Sequence, residues 1–429
     1  MKVLVVGSGG REHALVRSLL RDPGVRTVAA APGNAGIAAD AEVLPLDVSD
    51  PGAVADLAQH IAADLVVVGP EVALVNGAAD AVRARGIACF GPSADAARLE
   101  GSKTYAKQIM EAAGVPTADS QTCETLAEVE GSLDSFGPPY VVKDDGLAAG
   151  KGVVVTQSRT DAIAHAEECL AKGSPQVVVE EFLDGPEVSL FVISDGTTCR
   201  PLLPAQDFKR VGDGDVGPNT GGMGAYCPLP WAPDDLVAAI MRDVAEPTIA
   251  EMARSGNPFE GVLYCGLALT SRGLRVVEFN CRFGDPEIQT VLALLDSPLS
   301  PLLDAAARGR LAEADPPRWR SGFAVNVVIA SQGYPDRPVV GDPVSGLAEA
   351  SAVEGVHVLH AGTSRDPGGE LVTSGGRVLS VVGTGPSLAD ARDRAMRAVE
   401  LVRIRGCQHR TDIAADAISG LTLPFRPTA

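Results

Sequence analysis

Lysine is scarce in this chain of 429 residues. Only seven of the 36 lysine and arginine residues are lysine, and none occurs in the 220 residues after Lys209. Arginine is therefore the general-purpose cation of the surface. Four of the seven lysines, at positions 103, 143, 151 and 209, nevertheless lie in motif-like segments. Because a flexible ammonium group acts as a point charge where guanidinium offers a planar fork, these four positions favour phosphate binding.

Several other sequence features are missing, and each absence argues against a class of protein. The net charge of −19 argues against non-specific binding of nucleic acid, which needs a basic surface. The eight cysteines contain no Cys-x-x-Cys pair, so neither a zinc site nor a disulfide scaffold is indicated. No apolar run approaches the roughly 18 residues of a membrane helix, and the N-terminus lacks a basic region followed by a long apolar stretch. We expect a soluble, cytoplasmic protein with reduced thiols and with neither a nucleic-acid nor a membrane partner.

The length predicts about three domains, and 45% hydrophobic with 21% charged residues indicates folded cores. Strand and helix patterns alternate over residues 1–102, which predicts a parallel α/β sheet. A helix over residues 103–113 begins the next unit, 103–322. Strand patterns after Pro316-Pro317 predict a closing α/β domain over residues 323–429.

Residues 278–286, Glu-Phe-Asn-Cys-Arg-Phe-Gly-Asp-Pro, follow a predicted hairpin that turns at Ser271-Arg272-Gly273. On a strand, Glu278, Asn280 and Arg282 leave the same face. A carboxylate beside an amide oxygen suits a hard cation, and a guanidinium can grip an anionic substrate through two hydrogen bonds. The alternative is a solvated strand end, with Arg282 in a structural salt bridge to Asp285 or Glu287.

Residues 141–155 contain two β-rich runs around a loop with three glycines, Gly146, Gly150 and Gly152. Lys143 precedes this loop and Lys151 lies inside it. Glycine lets backbone N–H groups approach phosphate oxygens, and lysine adds positive charge. The loop leads into a strand and lacks Gly-Lys-Ser/Thr, so it is not a Walker A sequence. An ordinary glycine-rich hairpin is the alternative, and the lysines argue against it.

Two further segments have polar residues where a functional site would need them. Residues 177–189 run from a buried strand into Glu180, Glu181 and, after a short turn, Glu187. Such an edge suits a purine, with Glu187 near a ribose hydroxyl. Residues 206–226 have too many glycines for a core element, and long loops of this kind inside a domain are functional or disordered. The aspartate, lysine, arginine, asparagine and threonine residues interleaved in residues 206–226 favour a functional loop over a disordered one.

The chain opens with a strand, the turn Gly7-Ser8-Gly9-Gly10 and a helix. This turn is able to hold phosphate at a helix N-terminus. The third glycine of a dinucleotide-binding Gly-x-Gly-x-x-Gly falls on Glu12, which argues against a dehydrogenase. His13 is interpreted as a helix-start or packing residue.

In this order the segments resemble the ATP-grasp superfamily and, within it, the glycinamide ribonucleotide synthetase family of purine biosynthesis. The motifs Gly-Gly-Arg-Glu-His (residues 9–13) and Asn-Thr-Gly-Gly-Met-Gly (residues 219–224) are highly specific in combination. The resemblance runs nearly end to end and also covers residues 31–36, 68–71, 90–92, 99–103, 331–335, 360–363 and 375–379. It implies an α/β fold with an N-terminal Rossmann-like parallel sheet, a central ATP-grasp whose mobile α+β lid spans residues 122–188, and a C-terminal α/β domain.

The resemblance also implies roles for individual residues. Lys143, Asp207 and Arg282 would be catalytic, and Glu278 with Asn280 would bind Mg²⁺ or Mn²⁺. ATP would be bound by Lys103, Lys143, Gly146, Gly150, Lys151, Gly152, Glu180, Glu181, Leu183 and Glu187. Glycine and 5-phosphoribosylamine would be bound by Gly9, Gly10, Arg11, Pro32, Gly33, Asn34, Pro70, Glu71, Lys209, Arg210, Asn219, Thr220, Gly221, Gly222, Met223 and Arg282.

The implied reaction is an ATP-dependent ligation carried out by a monomer. The glycine carboxylate would attack the γ-phosphate of ATP, and the amine of phosphoribosylamine would then attack the resulting acyl phosphate. No enzyme nucleophile is required, in keeping with the lack of an evident Ser/His/Asp or Cys/His arrangement, so catalysis would rest on positioning and charge neutralisation. Two residues depart from the family pattern, since Asp144 replaces a small residue and Phe208 replaces a common histidine. The alternatives are a related ATP-grasp carboxylase or ligase and a non-catalytic nucleotide-binding module.

Overall fold

The N-terminal hundred residues form a parallel five-stranded sheet in the computed structural model, which describes residues 1–147, 152–172 and 176–420. The strands are β1 (Lys2–Gly7), β2 (Thr27–Pro32), β3 (Glu42–Val43), β4 (Leu65–Val68) and β5 (Ala88–Phe90). The helices are α1 (Gly10–Leu20), α2 (Ile37–Asp40), α3 (Pro51–His60), α4 (Glu71–Val75), α5 (Ala78–Ala84) and α6 (Ala94–Gly101). The strand order is β3-β2-β1-β4-β5. The predicted parallel sheet is confirmed.

Strand β1 shows why this sheet is buried on both faces. Its side chains alternate, so Leu4 and Val6 enter one hydrophobic core while Val3 and Val5 enter another. An almost continuous apolar run is the pattern that a parallel strand covered on two sides requires. Among the described residues, no helix combines the length and apolar character needed to cross a membrane.

A helix, α7 (Lys103–Ala113), connects this sheet to a small antiparallel one. The small sheet contains β6 (Ser120–Cys123), β7 (Tyr140–Asp144), β8 (Val153–Thr156) and β9 (Val177–Glu180) in the order β6-β9-β7-β8. Helices α8 (Leu126–Phe136) and α9 (Arg159–Ala171) pack on it. Val142, Val179 and Leu133 contribute to a separate hydrophobic core. This unit occupies most of residues 122–188, and the strand that begins at Glu187 pairs in a different sheet. Its role as a mobile lid stays a prediction.

The following segment supplies most of the candidate site. Its strands are β10 (Glu187–Asp195), β11 (Cys199–Pro201), β12 (Gln206–Asp207), β13 (Arg210–Gly212), β14 (Val216–Asn219), β15 (Gly224–Cys227), β16 (Glu260–Thr270) and β17 (Gly273–Asn280). Its helices are α10 (Leu236–Ile240), α11 (Glu246–Arg254), α12 (Glu287–Leu294) and α13 (Ser300–Ala307), with a π-helical turn at Met241–Ala245 and a 3₁₀ turn at Leu311–Glu313. Strands β11-β10-β16-β17 form an antiparallel sheet. The predicted hairpin at residues 271–273 joins β16 to β17.

The main sheet of the C-terminal segment includes strands from the preceding segment. The strands of the C-terminal segment are β18 (Phe323–Ala330), β19 (Val356–His360), β20 (Thr363–Arg365), β21 (Leu371–Thr373) and β22 (Arg377–Gly385), and the helices are α14 (Leu347–Ser351), α15 (Leu388–Val399) and α16 (Ala415–Ser419). The strand order of the main sheet is β12-β15-β18-β22-β19. Because β12 and β15 precede residue 322, this sheet spans the predicted domain boundary. The division into three domains stays a prediction.

Candidate active site

Glu278 lies near the end of β17, and Asn280 donates a hydrogen bond from Nδ2 to Glu278 Oε1 at 3.4 Å. Burial opposes ionisation of Glu278, but the ammonium groups of Lys209, Lys143 and Lys103 prevail and hold its pKa below the ordinary value. Three of the seven lysines thus act on one carboxylate, although they come from three different segments of the chain.

Lys143 and a lysine that the sequence analysis missed share one glutamate. Lys143 Nζ lies 2.7 Å from Glu180 Oε2 and donates to the carbonyl of Val277 at 3.1 Å. Lys107 Nζ lies 3.1 Å from Glu180 Oε1. The Glu180 side chain is almost wholly buried, so it acts as a bridge between two cations. A signal for Lys107 was present, since it is one of seven lysines and lies one helical turn after Lys103.

The loop that follows β7 is tied to the start of α7. Asp145 accepts hydrogen bonds from the Ser102 hydroxyl at 3.0 Å and the Thr104 N–H at 2.6 Å. Lys103 Nζ donates to the carbonyl of Gly146 at 3.2 Å. Burial lowers the pKa of Lys103. Helix α7 therefore sets the position of the loop entrance and of the Lys103 ammonium group.

The far side of this loop is described from Gly152 onward. Asp144, the first departure from the family pattern, accepts a hydrogen bond from Gly146 N–H at 3.1 Å, and its own N–H donates to Gly152 O at 2.7 Å. Its carboxylate thus bonds within its own loop. The predicted ATP contacts Gly150 and Lys151 lie outside the described residues.

A second group of acidic residues surrounds Lys209, whose ammonium group pairs with Glu187. Burial raises the pKa of Asp207 to about 8, with Lys209 opposing the shift and Glu287 and Glu187 adding to it. Burial also opposes the charge on Lys209, but Glu187 and Asp207 raise its pKa well above the ordinary value. Of the other predicted ATP contacts, Glu181 pairs with Arg272 at 2.7 Å and Leu183 is half-buried.

The segment Asn219–Met223 packs against Lys209 mainly through backbone atoms. Thr220 donates from both its N–H and its hydroxyl to the carbonyl of Lys209, each at 2.8 Å. Met223 is fully buried, and its N–H donates to the carbonyl of Phe208 at 2.8 Å. Asn219 ends β14, and Arg210 donates to Gly217 O at 2.8 Å within the same hairpin. The structure therefore places Met223 in the core and Arg210 in the hairpin itself.

Arg282 lies two residues beyond β17 between two carboxylates. Its Nη2 is 3.0 Å from Glu100 Oε1, and its Nε is 3.3 Å from Glu71 Oε2. Nη2 also donates to Asn280 Oδ1 at 3.3 Å, so Arg282 does lie beside the predicted metal ligands. Burial opposes the charge on Arg282, but Glu100 and Glu71 raise its pKa above the ordinary value. The predicted alternative, a salt bridge to Asp285 or Glu287, is wrong in its partners, because the ion pairs reach residues distant in sequence.

Three predicted substrate residues that follow the ends of β1 and β2 line a cavity of about 360 Å³. The lining residues are Ser8, Gly9, Gly33, Asn34, Asp285, Ala361, Gly362, Thr363, Ser374, Gly375 and Arg377. The sequence analysis assigned only Gly9, Gly33 and Asn34 to substrate. Arg377 was overlooked although it follows Gly375-Gly376 in a segment that carried the family resemblance. A larger cavity of about 570 Å³ is lined by α15 side chains and Glu400 and holds no predicted site residue.

Other residues predicted for this substrate have positions that are mainly structural. Arg11 is buried, with Nε 2.5 Å from Glu12 Oε1 and Nη1 donating to Phe283 O at 3.0 Å. Gly10 begins α1, Pro32 ends β2 and Pro70 caps α4, which begins at Glu71. His13 is fully buried, lies 2.9 Å from Asp40 and accepts from the N–H of His360, which agrees with the predicted packing role.

Comparison with known proteins places this arrangement in a family. Three family models match in order: the N domain of phosphoribosylglycinamide synthetase over residues 1–100, its ATP-grasp (A) domain over residues 101–288 and its C domain over residues 324–416. The chain belongs to the phosphoribosylglycinamide synthetase family. The family resemblance predicted from the motifs is confirmed.

Relatives of this family match over nearly the whole chain. A phosphoribosylamine–glycine ligase from Streptomyces coelicolor is 60% identical over 97% of this chain and 99% of its own length. The crystal structure of phosphoribosylamine–glycine ligase from Thermotoga maritima has a TM-score of 0.82 at 34% identity and covers 96% of this chain and 100% of its own. The predicted function, a phosphoribosylamine–glycine ligase of purine biosynthesis, is thereby confirmed by the family and its relatives.

One more distant structure shows the fold alone. The biotin carboxylase domain of 2-oxoglutarate carboxylase from Hydrogenobacter thermophilus, solved with MgADP and bicarbonate, has a TM-score of 0.70 at 16% identity. It covers 95% of this chain and 91% of its own. The predicted ATP-grasp fold is confirmed.

Glu278 and Asn280 fit a Mg²⁺ ion by donor chemistry. Mg²⁺ in nucleotide enzymes is held by one or two carboxylates, by waters and by substrate phosphates. Within residues 1–147, 152–172 and 176–420, no group of three or more His, Cys, Asp or Glu side chains could hold a metal. The two oxygen donors therefore suit a cation that arrives with the nucleotide better than one held in an all-protein cage.

Proposed function

We propose that this protein joins glycine to 5-phosphoribosylamine and converts ATP to ADP and phosphate. In the first step a glycine carboxylate oxygen bonds to the γ-phosphorus of ATP, the bond from that phosphorus to the β,γ-bridging oxygen breaks, and ADP leaves. In the second step the amine nitrogen bonds to the acyl carbon, the amine loses a proton and phosphate leaves. The product is the amide glycinamide ribonucleotide.

The roles of the residues follow from their charge and position. Lys103 and Lys143 contact the phosphates of ATP. Lys209 adds a third positive charge near the carboxylate of Glu278. Glu278 and Asn280 would hold Mg²⁺ or Mn²⁺, which would supply positive charge to neutralise the phosphates. Arg282 grips the glycine carboxylate beside Asn280, and Asp207 lies with the acidic group around Lys209. Glu180, Glu187 and the segment around Leu183 border the nucleotide.

The observation that carries this proposal is the convergence of Lys209, Lys143 and Lys103 on Glu278. A protein whose surface uses arginine as its general cation places three of its seven lysines where they act on one half-buried carboxylate. A carboxylate ligand surrounded by ammonium groups suits a metal–polyphosphate complex, because the negative charge that arrives is met by fixed positive groups. Catalysis then needs positioning and charge, and no protein nucleophile.

Product identification tests the proposal most directly. The purified protein is incubated with ATP, Mg²⁺, glycine and freshly made phosphoribosylamine, and the mixture is separated by mass spectrometry. We expect glycinamide ribonucleotide, ADP and phosphate, with no amide when glycine is omitted. Replacement of glycine by bicarbonate tests the related carboxylase chemistry. ADP formation that depends on bicarbonate and not on glycine would contradict the proposal.

We also propose that the enzyme works in the cytoplasm as a monomer. All eight cysteines are free thiols in the structure, in keeping with a reducing compartment. Light scattering coupled to size-exclusion chromatography gives the mass to compare with the 44.1 kDa of one chain. A mass of twice this value would contradict the monomer.

A further inference from the structure

Lys107, in the middle of α7, has all the donors of its ammonium group engaged by the protein. An ammonium group has three N–H donors. Lys107 Nζ donates to Ala118 O at 2.8 Å and to the Thr117 hydroxyl at 2.9 Å, and it lies 3.1 Å from Glu180 Oε1. Its side chain is 14% exposed. Three oxygen partners match the three donors, so Lys107 acts on other protein groups and not on a ligand.

The partners of Lys107 come from different parts of the chain. Thr117 and Ala118 lie in the connection from α7 to β6, the first strand of the small antiparallel sheet. Glu180 is the last residue of β9, where it pairs with Ser120 of β6. The ammonium group therefore fixes the small sheet at the point where the chain enters it.

Thr117 extends this contact to the strand that carries Glu278. Its hydroxyl donates to Val276 O at 2.7 Å, and the N–H of Val276 donates to Pro116 O at 2.8 Å. Val276 is fully buried in β17, two residues before Glu278. Lys107 thus lies at a junction between α7, the small sheet and the strand of the candidate metal ligands.

Glu180 couples the charge of Lys107 to that of Lys143. Its carboxylate is 4% exposed, with Lys143 Nζ 2.7 Å from one oxygen and Lys107 beside the other. Two ammonium groups around one carboxylate leave one positive charge in excess. Burial lowers the pKa of Lys107, while Glu180 opposes the shift and Lys143 adds to it. Without Lys107, Glu180 would be balanced by Lys143 alone, because a buried carboxylate is costly unless a cation stays beside it.

We propose that Lys107 is a positioning residue for ATP binding, an inference that rests on the proposed function. Lys107 neutralises Glu180 and holds the entrance of the small sheet, so the positive charge of Lys143 is left for the phosphates of ATP. It acts through Glu180 and Lys143 and does not touch the nucleotide.

The test compares the binding of ATP with that of adenosine, which has no phosphates, by calorimetry. Lys107→Met removes the charge and keeps a long side chain. Lys172→Met is the matched control, because Lys172 also has a glutamate partner, Glu168 at 3.6 Å, but is 71% exposed. We expect Lys107→Met to weaken ATP by about tenfold or more, the scale of a hydrogen bond to a charged group, and to leave adenosine nearly unaffected. The control should bind both compounds as the wild type does.

A double-mutant cycle tests the route through Glu180. In a Glu180→Gln background no buried carboxylate takes up the charge of Lys143, so adding Lys107→Met should weaken ATP much less than it does in the wild type. An equal effect in both backgrounds would overturn the inference. Unchanged ATP binding by Lys107→Met, or an equal loss for ATP and adenosine, would overturn it as well, since the second result is that of a merely structural residue.

If Lys107→Met does not fold, Lys107→Gln replaces it, because an amide keeps N–H donors for Thr117 and Ala118 and still removes the charge. The same outcomes then support or overturn the inference. These binding measurements need no turnover. Failure of the proposed function therefore looks different, because the wild type would then form no amide product in the incubation with glycine.

Discussion

Lys143 and Glu180 form a buried ion pair, with Lys143 Nζ 2.7 Å from Glu180 Oε2 and both side chains less than a tenth exposed. Lys107 contacts the other oxygen of the same carboxylate. Desolvation makes such a pair costly unless its geometry and hydrogen bonds are good. Here the glutamate is satisfied from both sides, so Lys143 is held in one orientation next to Glu278.

We expect Lys143→Ala to weaken ATP binding by about tenfold or more, on the scale of one or more charge-assisted hydrogen bonds. Lys172→Ala is the matched control, because Lys172 caps the exposed end of α9 and its side chain is 71% exposed. Dissociation constants measured by calorimetry provide the comparison, with thermal unfolding to confirm that both variants fold. Equal ATP affinities for the two variants would contradict the role of Lys143.

Glu278→Gln should leave the fold intact and remove most turnover. The substitution keeps the shape of the side chain but removes the negative charge that would help hold Mg²⁺. The rate of ADP formation is measured across a Mg²⁺ titration, with Glu349→Gln, on the exposed part of α14, as the control. Normal turnover of the Glu278 variant at every Mg²⁺ concentration would remove Glu278 from the metal site.

Arg282→Lys should raise the Michaelis constant for glycine by roughly tenfold, because lysine cannot reproduce a two-point grip on a carboxylate. ATP affinity should stay nearly unchanged. The pairs with Glu71 and Glu100 give Arg282 a structural role as well, so unfolding by urea is measured alongside the kinetics. A variant that loses stability and keeps the wild-type glycine dependence, assayed at low temperature, would show that the ion pairs are its whole role.

Local patterns in the sequence were enough to predict much of the fold. The apolar run of β4 and the turn at residues 271–273 predicted their strands, because periodicity and turn chemistry act over a few residues. Glu278 and Asn280 were predicted as neighbours for the same reason, since alternation on one strand fixes their relative direction. The glycine-rich segments predicted the family because two specific motifs occurred together.

Contacts between distant segments could not be predicted in this way. Arg282 meets Glu71 and Glu100 only after two sheets have packed together, and nothing near residue 282 encodes those partners. Likewise, Arg377 reaches the cavity from a strand far along the chain, and its sequence neighbours do not reveal the cavity. Such charged pairs are determined by tertiary packing.

The pH dependence of stability should include a contribution from His360. Burial lowers its pKa to about 4, with His13 and Arg17 adding to the effect. The unfolded chain, with histidine near its ordinary value of 6.5, binds a proton at a pH where the folded chain does not. Stability should therefore fall as the pH drops from about 6.5 towards 4. The free energy of unfolding, measured with urea at several pH values in this range, should depend less steeply on pH for His360→Gln than for the wild type. An unchanged pH dependence would exclude the contribution of His360.

Arg410 holds the hairpin of β13 and β14 against the C-terminal segment. Its fully buried guanidinium makes two hydrogen bonds to Asp412, at 2.6 and 2.7 Å, and lies 2.5 Å from Asp215 Oδ1. It also lies 4.9 Å from the ring centroid of Phe208, the second departure from the family pattern. Since Phe208 precedes Lys209, this contact connects the hairpin to the candidate site.

We expect Arg410→Gln to lower the free energy of unfolding by about 2–3 kcal/mol, the scale of hydrogen bonds to charged groups. The exposed Arg320, which pairs with the equally exposed Asp296, gives the control Arg320→Gln, with a loss of about 1 kcal/mol or less, as for exposed ion pairs. Hydrogen exchange should quicken first in residues 210–219, because Arg410 donates to the carbonyl of Arg210 as well as to Asp215. If exchange rises evenly through the molecule, Arg410 stabilises the fold in general and does not act on this hairpin.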